Sequence, residues 1–526
     1  MTALAARALA PASAGRLLRL EIRRNAMVWA LPLLAVLFVY DPYRTASGYP
    51  PVWDVRASVI LNHMLFDFGA FAGGLAAWAG SRDGRRQTRD LLAATARPAW
   101  ARQAAALAGT LFWVLLGFLA AVAVLYIQTA RQVTWGGPPL WPVAVGAVAL
   151  ITICAIGFTA GALVPGRFTA PLVAVGVVVL DLVGFREALG PSSAYALLSP
   201  SAGALPDDTG LFYPVAPDVA IAQVMFMGGI TAAVLGILAL SPALRWPGTL
   251  RWPGTWRLPA GATGPWLPAV AITVVAAGLA AAGTAAGLAG TARPVVSGWE
   301  FPAPVGTPKP VVSGWEIPAL HNAASDRPLA YPPDCTGTSF QVCVHPAFSF
   351  FRDDVAAALD PVAAEVAGLP GAPLSAEEAA ARGKGALLGG VITGIPPVYE
   401  FNGERAGSLI GAFQGTTASA SSSTWRALFQ QAFLDALVAG PAHAGSPGPA
   451  SPAQQAVVTA LLTAVGSQVP QSHQVAGGGP PGEPSPAQIA AAANRFAALP
   501  SAARHAWLAA HLPALRAGQV TLAQLP

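Results

Sequence analysis

The chain has 526 residues, 54% hydrophobic and only 10% charged, against roughly 25% charged in an average soluble domain; that excludes an ordinary soluble protein and points to a membrane. Forty-nine prolines and 55 glycines exclude one uninterrupted helical bundle, so a non-spanning part must also exist. Residues 1–290 hold 19 Lys/Arg and 11 Asp/Glu, residues 291–526 hold 11 and 14, so the basic excess belongs to the apolar half and reads as a topology signal, not a nucleic-acid footprint.

In chain order, the first feature is a basic segment in which Arg16, Arg19 and Arg23 fall three and four residues apart on one helical face, with Leu17, Leu18 and Ile22 turned away. Such a helix fits either a position along the membrane surface or a plain basic flank. About 20 apolar residues are needed to cross a hydrocarbon core of ~30 Å. Five runs qualify and contain no Lys or Arg: Val59–Gly80, Ala104–Gln128, Pro142–Val164, Ala220–Leu240 and Leu267–Ala289. Two are shorter: Ala26–Tyr40, which carries Pro32, and Thr169–Phe185, which carries Asp181. The expected fold class is therefore an all-α membrane protein of six to seven transmembrane helices. Tyr40-Asp41-Pro42-Tyr43 lacks the small residues of a signal-peptidase site, so the first helix is expected to be retained.

Lys and Arg in short loops tend to remain cytoplasmic. With the N-terminus inside, fifteen arginines fall on inner segments, while only Arg44, Arg56, Arg131 and Arg186 fall on outer ones. Seven crossings place the remainder of the chain outside. That remainder divides into a Pro-rich linker, 291–330, and a mainly helical extracytoplasmic domain, 331–526, with Pro/Gly-rich connections. LRWPGT occurs twice, at Leu244–Thr249 and Leu250–Thr255, and PVVSGWE twice, at Pro294–Glu300 and Pro310–Glu316. Both read as linker duplications, too short for a solenoid. Helices are expected at Ala347–Ala367, Ser423–Val438, Ala453–Ser467, Pro486–Leu499 and Ser501–Ala517, with strands at Ser339–Val344 and Gly390–Ile395.

The motifs that would carry chemistry are missing. Gly383-Lys384-Gly385 lacks the upstream glycine and the Ser/Thr of a phosphate-binding loop; no H-E-x-x-H occurs, and His505 and His511, six apart, do not share a helical face. Ser419–Ser423 has no identifiable base. No cofactor, metal or catalytic residue is therefore assigned. Cys154 reads as an apolar filler within a span. Cys335 and Cys343 are eight apart on the proposed outer side. They fit a disulfide there; a thiol at Cys343 with His345 on the same strand face is the competing reading, for which no orienting third group exists. In the second span His63 and Asp67 are one turn apart, and charged groups at that depth avoid lipid; they line a translocation path, form a proton-linked pair, or simply fix helix packing. Asn62 shares that neighbourhood.

The segment Ala77–Gln103, AWAGSRDGRRQTRDLLAATARPAWARQ, joins spans two and three. Thr88 is a usable N-cap, Asp90 sits in the first turn, Leu91 and Leu92 give an apolar edge, and Pro98 stops the helix. Taken with the N-terminal LLRLEIRRNAMVWALPLL, the order of a basic amphipathic segment, a first span and a second span running into R-x-G-R-R-x-T-R-D-L-L-x-x-T-x-R-P resembles permease subunits of ABC-2-type exporters, especially those of GC-rich bacteria. The resemblance covers residues 15–290. It implies that the loop after span two forms a coupling helix docking on a separate ATPase subunit: Arg85, Arg86 and Thr88 match its beginning, Leu91, Leu92 and Thr95 the helix, Arg97 and Pro98 its end. It also implies a homodimer or a related permease as partner, and ATP hydrolysed by the ATPase rather than by this chain. The place implied is the bacterial plasma membrane, N-terminus in the cytoplasm and no nucleic acid bound. The chain departs from the family in its extra span and appended domain; CVHPAF and RHAWLAAHLPALRAGQVTLAQLP in that domain resemble the tails of some actinobacterial permease-like proteins. The alternative from another class is a non-transporting anchor that displays an extracytoplasmic binding or sensory domain.

Overall fold

In a computed structural model of the chain, residues 11–87, 99–189, 194–203, 209–212, 214, 216–240, 266–300, 309–327, 329–378, 391–393, 395–401, 419–439, 451–467 and 484–526 are described. The N-terminal half is helical: α1 (Pro11–Arg23), α2 (Met27–Gly48), α3 (Trp53–Gly80), α4 (Ala99–Ala130), α5 (Trp141–Leu163), α6 (Thr169–Leu189), α7 (Asp218–Leu240) and α8 (Trp266–Ala289). Five of these, α3, α4, α5, α7 and α8, are long and apolar enough to cross a membrane; α1 and α2, bent by 52°, give a sixth if counted as one broken span. The apolar stretch Thr169–Gly184 of α6 is shorter than these five. Asp181 finds a hydroxyl partner there, Ser201 Oγ at 2.6 Å.

Small residues decide how these helices pack. Gly157 and Gly161 of α5 lie against Gly73 and Ala77 of α3: a Cβ on Gly161 would stand 2.0 Å from the Ala77 carbonyl oxygen, and one on Gly157 2.4 Å from that of Gly73. Between α7 and α8, Gly229 and Gly278 face each other, with a Cβ on either meeting the other's carbonyl region at 2.6 and 2.5 Å. Apolar side chains gain nothing from one another that lipid does not offer, so close backbone contact supplies the association. Around the α3–α5 seam a core of Leu61, Met64, Phe68, Phe118, Leu150 and Phe158 fills the bundle.

The all-α expectation needs correction beyond α8. Strands β1 (Arg293–Glu300) and β2 (Lys309–Glu316) pair antiparallel, Arg293 opposite Glu316 and Glu300 opposite Lys309. The duplicated PVVSGWE, with a basic residue before it and Glu at its end, thus pairs with its own reverse, and the antiparallel register sets Arg293 opposite Glu316. Periodicity did not expose this, because the alternation is broken by Pro, Ser and Gly. LRWPGT lies outside the described residues. A second, five-stranded sheet has the order β3 (Asp334–Thr336), β4 (Gln341–Val344), β5 (Ser375–Glu378), β7 (Val398–Phe401), β6 (Val391–Thr393), with β4–β5 and β5–β7 parallel and the outer pairs antiparallel. The expected strands at 339–344 and 390–395 are two of its five.

Helices α9 (Arg352–Val366), α10 (Ser419–Ala439), α11 (Pro452–Ala464), α12 (Pro486–Ala497) and α13 (Ser501–Arg516) cover this sheet and one another. The same tetrapeptide, Ser-Pro-Ala-Gln, begins α11 and α12. In each, the Ser hydroxyl accepts from the N3 amide and the Gln side chain accepts from the Ser amide, with Pro in the first turn where its missing N–H costs nothing. Arg504, 7% exposed, donates two bonds to Glu365 of α9, at 3.0 and 2.7 Å, and two more to the carbonyls of Ala497 and Leu499. A buried cation needs that full set of acceptors. The aromatic centre, Phe348, Tyr399, Phe401, Phe429 and Phe433, forms one core with Val52 just before α3, Val55 of α3, and Leu211 and Phe212 before α7. The domain therefore shares its core with one end of the bundle, here called the domain end.

Candidate functional site

Among the described residues, polar side chains assemble at both ends of the bundle and within it. At the end opposite the domain, α1 is tied to the helices beside it. Trp113 Nε1 donates to the Ile22 carbonyl at 2.8 Å, and Asn25 both caps α2, accepting from Met27 N at 2.9 Å, and donates to Thr110 Oγ1 at 3.0 Å. Gly109 lets the α1 backbone in: a Cβ there would lie 3.2 Å from Glu21. Arg82, in the short turn Arg82–Arg85 after α3, grips Glu21 with two parallel bonds of 3.0 and 2.9 Å. The forked geometry suits guanidinium to carboxylate. Arg85 lies over the Trp78 ring, 3.2 Å from its centroid, while Arg86, Arg19 and Arg23 are exposed. Leu17, Leu18 and Ile22 are half-buried, matching the amphipathic reading of α1. Thr88, Leu91, Leu92, Thr95 and Arg97 lie outside the described residues.

Within the bundle, His63 and Asp67 share one face of α3 and are joined by Asp41 of α2. His63 Nδ1 meets Asp41 Oδ2 at 2.6 Å, and the Asp67 carboxyl also reaches Asp41. Both aspartates lie in π turns, Val39–Tyr43 and Leu65–Gly69. The extra residue in such a turn rotates side chains relative to a regular helix, and these turns are frequent at functional sites. The three groups remain partly open, with side-chain exposures of 35% for His63 and 38% for Asp41. An imidazole and a second carboxyl that both meet Asp41 can hold and pass a proton. The apolar run ends at Tyr40 and Pro42 follows, so the sequence pattern does not point to Asp41; the helix α2 nevertheless continues through Pro42 to Gly48.

At the domain end, Arg56 is buried and donates to the Tyr49 carbonyl at 3.1 and 3.3 Å and to Gln132 Oε1 at 2.6 Å, closing the α2–α3 turn over the segment after α4. That segment carries Trp135 to His345. The His345 ring is fully buried among Tyr331, Trp135 and Phe212, with ring centroids at 4.2, 5.3 and 5.3 Å. Its Nδ1 accepts from Ala347 N at 3.1 Å, and its backbone N–H donates to Glu378 Oε2 at 2.6 Å. Burial pushes the imidazole down to about 4, against a smaller opposing contact with the Leu211 backbone; the ring is neutral at pH 7. Leu329 N donates to the Phe212 carbonyl at 2.7 Å, and Thr134 Oγ1 to that of Pro346. Cys335 and Cys343, direct partners across β3 and β4 with Cα atoms 4.1 Å apart, are joined as a disulfide, so no thiol stands beside His345. Among the described residues, no group of three or more His, Cys, Asp or Glu is arranged to hold a metal ion.

The chain matches no family model, no curated protein and no solved structure.

Proposed function

We propose that the chain is the membrane-spanning subunit of an exporter driven by a separate ATPase subunit, which docks on the basic segment Arg85–Arg97. The observation that carries this reading is the Glu21–Arg82 pair. It ties the amphipathic α1, the end of α3 and the beginning of the loop that resembles a coupling helix into one unit, so that a push on the loop reaches α1, α2 and α3 together. Asp41, His63 and Asp67 then lie where helices α2 and α3 would have to shift for a path to open. In this reading the N-terminus is cytoplasmic, the C-terminal domain extracytoplasmic, and a second permease copy or a related subunit completes the path. Coupling of this kind is a difference in ATPase affinity between two states of the bundle.

The decisive experiment is affinity purification of the tagged protein from its native membrane in mild detergent. An ATPase should co-purify in stoichiometric amount with the wild type and be lost with Leu91→Asp/Leu92→Asp, while membrane insertion is retained. Association unaffected by the double substitution overturns the docking assignment. Absence of any ATPase across several detergents favours the other reading, a membrane anchor displaying its outer domain. The shared core of that domain with Val52, Val55, Leu211 and Phe212 supports a fixed display of this kind.

A further inference from the structure

A second contact joins the post-bundle chain to the domain end, and its chemistry is unlike that of the His345 box. The turn after β2 packs Ile317, fully buried, against Leu198 of the turn Ala194–Leu198, Ala222 near the start of α7 and Ala289 at the end of α8. Four residues on, the His321 ring lies between two carboxylates from different parts of the chain. Nδ1 faces Asp218 Oδ2 at 3.1 Å, and Nε2 faces both oxygens of Asp326, at 3.3 and 3.2 Å. Asp218, the first residue of α7, has no exposed surface; it also accepts from Ile317 N at 3.3 Å, and its Oδ1 has no hydrogen-bond partner.

Carboxylate oxygens only accept. A neutral imidazole carries one N–H and so can donate to one of the two aspartates, turning a lone pair toward the other; only the doubly protonated ring satisfies both. A buried carboxylate with one oxygen unpartnered also needs a nearby positive charge. The other charged group facing the ring is Glu316 at the end of β2, itself in register with Arg293, and it too favours the cation. Among the described residues, the charged groups that act on the ring, from α7, β2 and the turn Ala323–Asp326, are all acidic.

We propose that Asp218, His321 and Asp326 form a proton-operated latch: the imidazolium clamps the Ile317–Asp326 segment onto the end of α7, and loss of its proton releases the segment. Burial disfavours the charged ring, but the hydrogen bonds of Asp326 and Asp218 outweigh it and raise His321 above its ordinary value. The latch is then fully closed below about pH 6.5 and opens as the pH rises through the raised value. What it would govern is the seating of the arm over the α7–α8 pair. Gln223 of α7 holds the neighbouring loop as well, donating to the carbonyls of Leu197 and Ser199, so release would loosen the mouth of the bundle beside α6. The proposal does not rest on the exporter reading.

Hydrogen–deuterium exchange on the full chain in lipid nanodiscs tests it, with rates corrected for the intrinsic pH dependence of exchange. The amides of Ile317, Leu320, His321 and Ser325, all hydrogen-bonded in the latched form, should be protected at pH 6 and lose protection by about tenfold for each unit by which the bound imidazole is raised once the pH passes that point. Amides of α11 should be unaffected. His321→Asn should abolish the transition. Asp326→Asn, at an exposed carboxylate whose loss leaves the core intact, should move the midpoint to lower pH. Equal protection at pH 6 and pH 9 in the wild type, a transition that survives in His321→Asn, or an unmoved midpoint in Asp326→Asn would each overturn the latch.

Discussion

The bundle and the appended domain draw on similar apolar residues and use them in opposite ways. Only 22% of the most apolar window of α8 and 33% of that of α4 is buried, and Leu119, Val124, Leu180 and Ile272 are exposed. The domain instead encloses Phe348, Phe429, Phe433 and Leu512 with almost no exposure. Burial in water is driven by the apolar surface removed, and large side chains bring most. In lipid that drive is absent, so glycine contacts hold α3 to α5 and α7 to α8. The same element, a helix with leucine and phenylalanine, is held by its large residues in one region and by its smallest in the other.

The largest effect should come from enlarging a seam residue. Gly161→Leu forces a side chain into the Ala77 carbonyl, 2.0 Å from the Cβ position, and should abolish a monodisperse bundle by fluorescence-detected gel filtration. Gly176→Leu, where a Cβ meets nothing within 4 Å, should elute as wild type. Equal behaviour of the two would end the claim that glycine contacts hold the bundle. The converse applies to the domain: Phe433→Ala removes a fully buried ring that packs edge-on against Phe340 and Tyr399 and should cost about 3–5 kcal/mol, lowering the melting temperature of the domain while leaving the bundle assembled.

How much of this was legible in the sequence follows from the same contrast. Long apolar runs announce themselves through composition, so α3, α4, α5, α7 and α8 fall within a few residues of their expected positions. The five helices of the domain were readable from apolar spacing. The five-stranded sheet was readable only at the strands expected over 339–344 and 390–395: its strands are three or four residues long, and Asp334–Thr336 and Ser375–Glu378 carry no alternating apolar pattern, being positioned by partners distant in sequence. The polar sites were half legible. His63 and Asp67 stand out because they interrupt an apolar run, whereas Asp41 is masked by Pro42, which usually ends a helix and here does not. His345 could be seen beside Cys343. Its box could not, since Trp135, Phe212 and Tyr331 come from three separate segments.

The joint between the two regions responds to acid, and in the sense opposite to the His321 latch. His345 is held down to about 4 in the folded chain by burial, against roughly 6.5 in an unfolded one. Between these values the unfolded chain binds the proton and the folded chain does not, so stability falls as the pH drops from about 6.5 towards 4. The loss should be on the order of 3 kcal/mol, measured as a lower midpoint of chemical denaturation followed by the fluorescence of Trp135. His345→Phe, which keeps an aromatic ring without the titration, should flatten that dependence; a slope that persists in this variant would place the acid sensitivity elsewhere, with Glu378 the first group to test.

The smallest effect concerns the domain alone. The Cys335–Cys343 bond closes a loop of only eight residues in sequence separation, and restricting so short a loop in the unfolded chain is worth about 2–3 kcal/mol. Arg352 of α9 already binds Asp334 beside it, which holds β3 against the helix without the covalent link. Cys335→Ser/Cys343→Ser should therefore fold and keep the His345 box, with a domain melting temperature lower by a few degrees. Reduction of the wild type should reproduce that shift and leave the double variant unchanged. If the double variant instead detached the domain from Val52 and Phe212, the disulfide would belong to the joint with the bundle rather than to the domain's own stability, since β4 runs directly into His345.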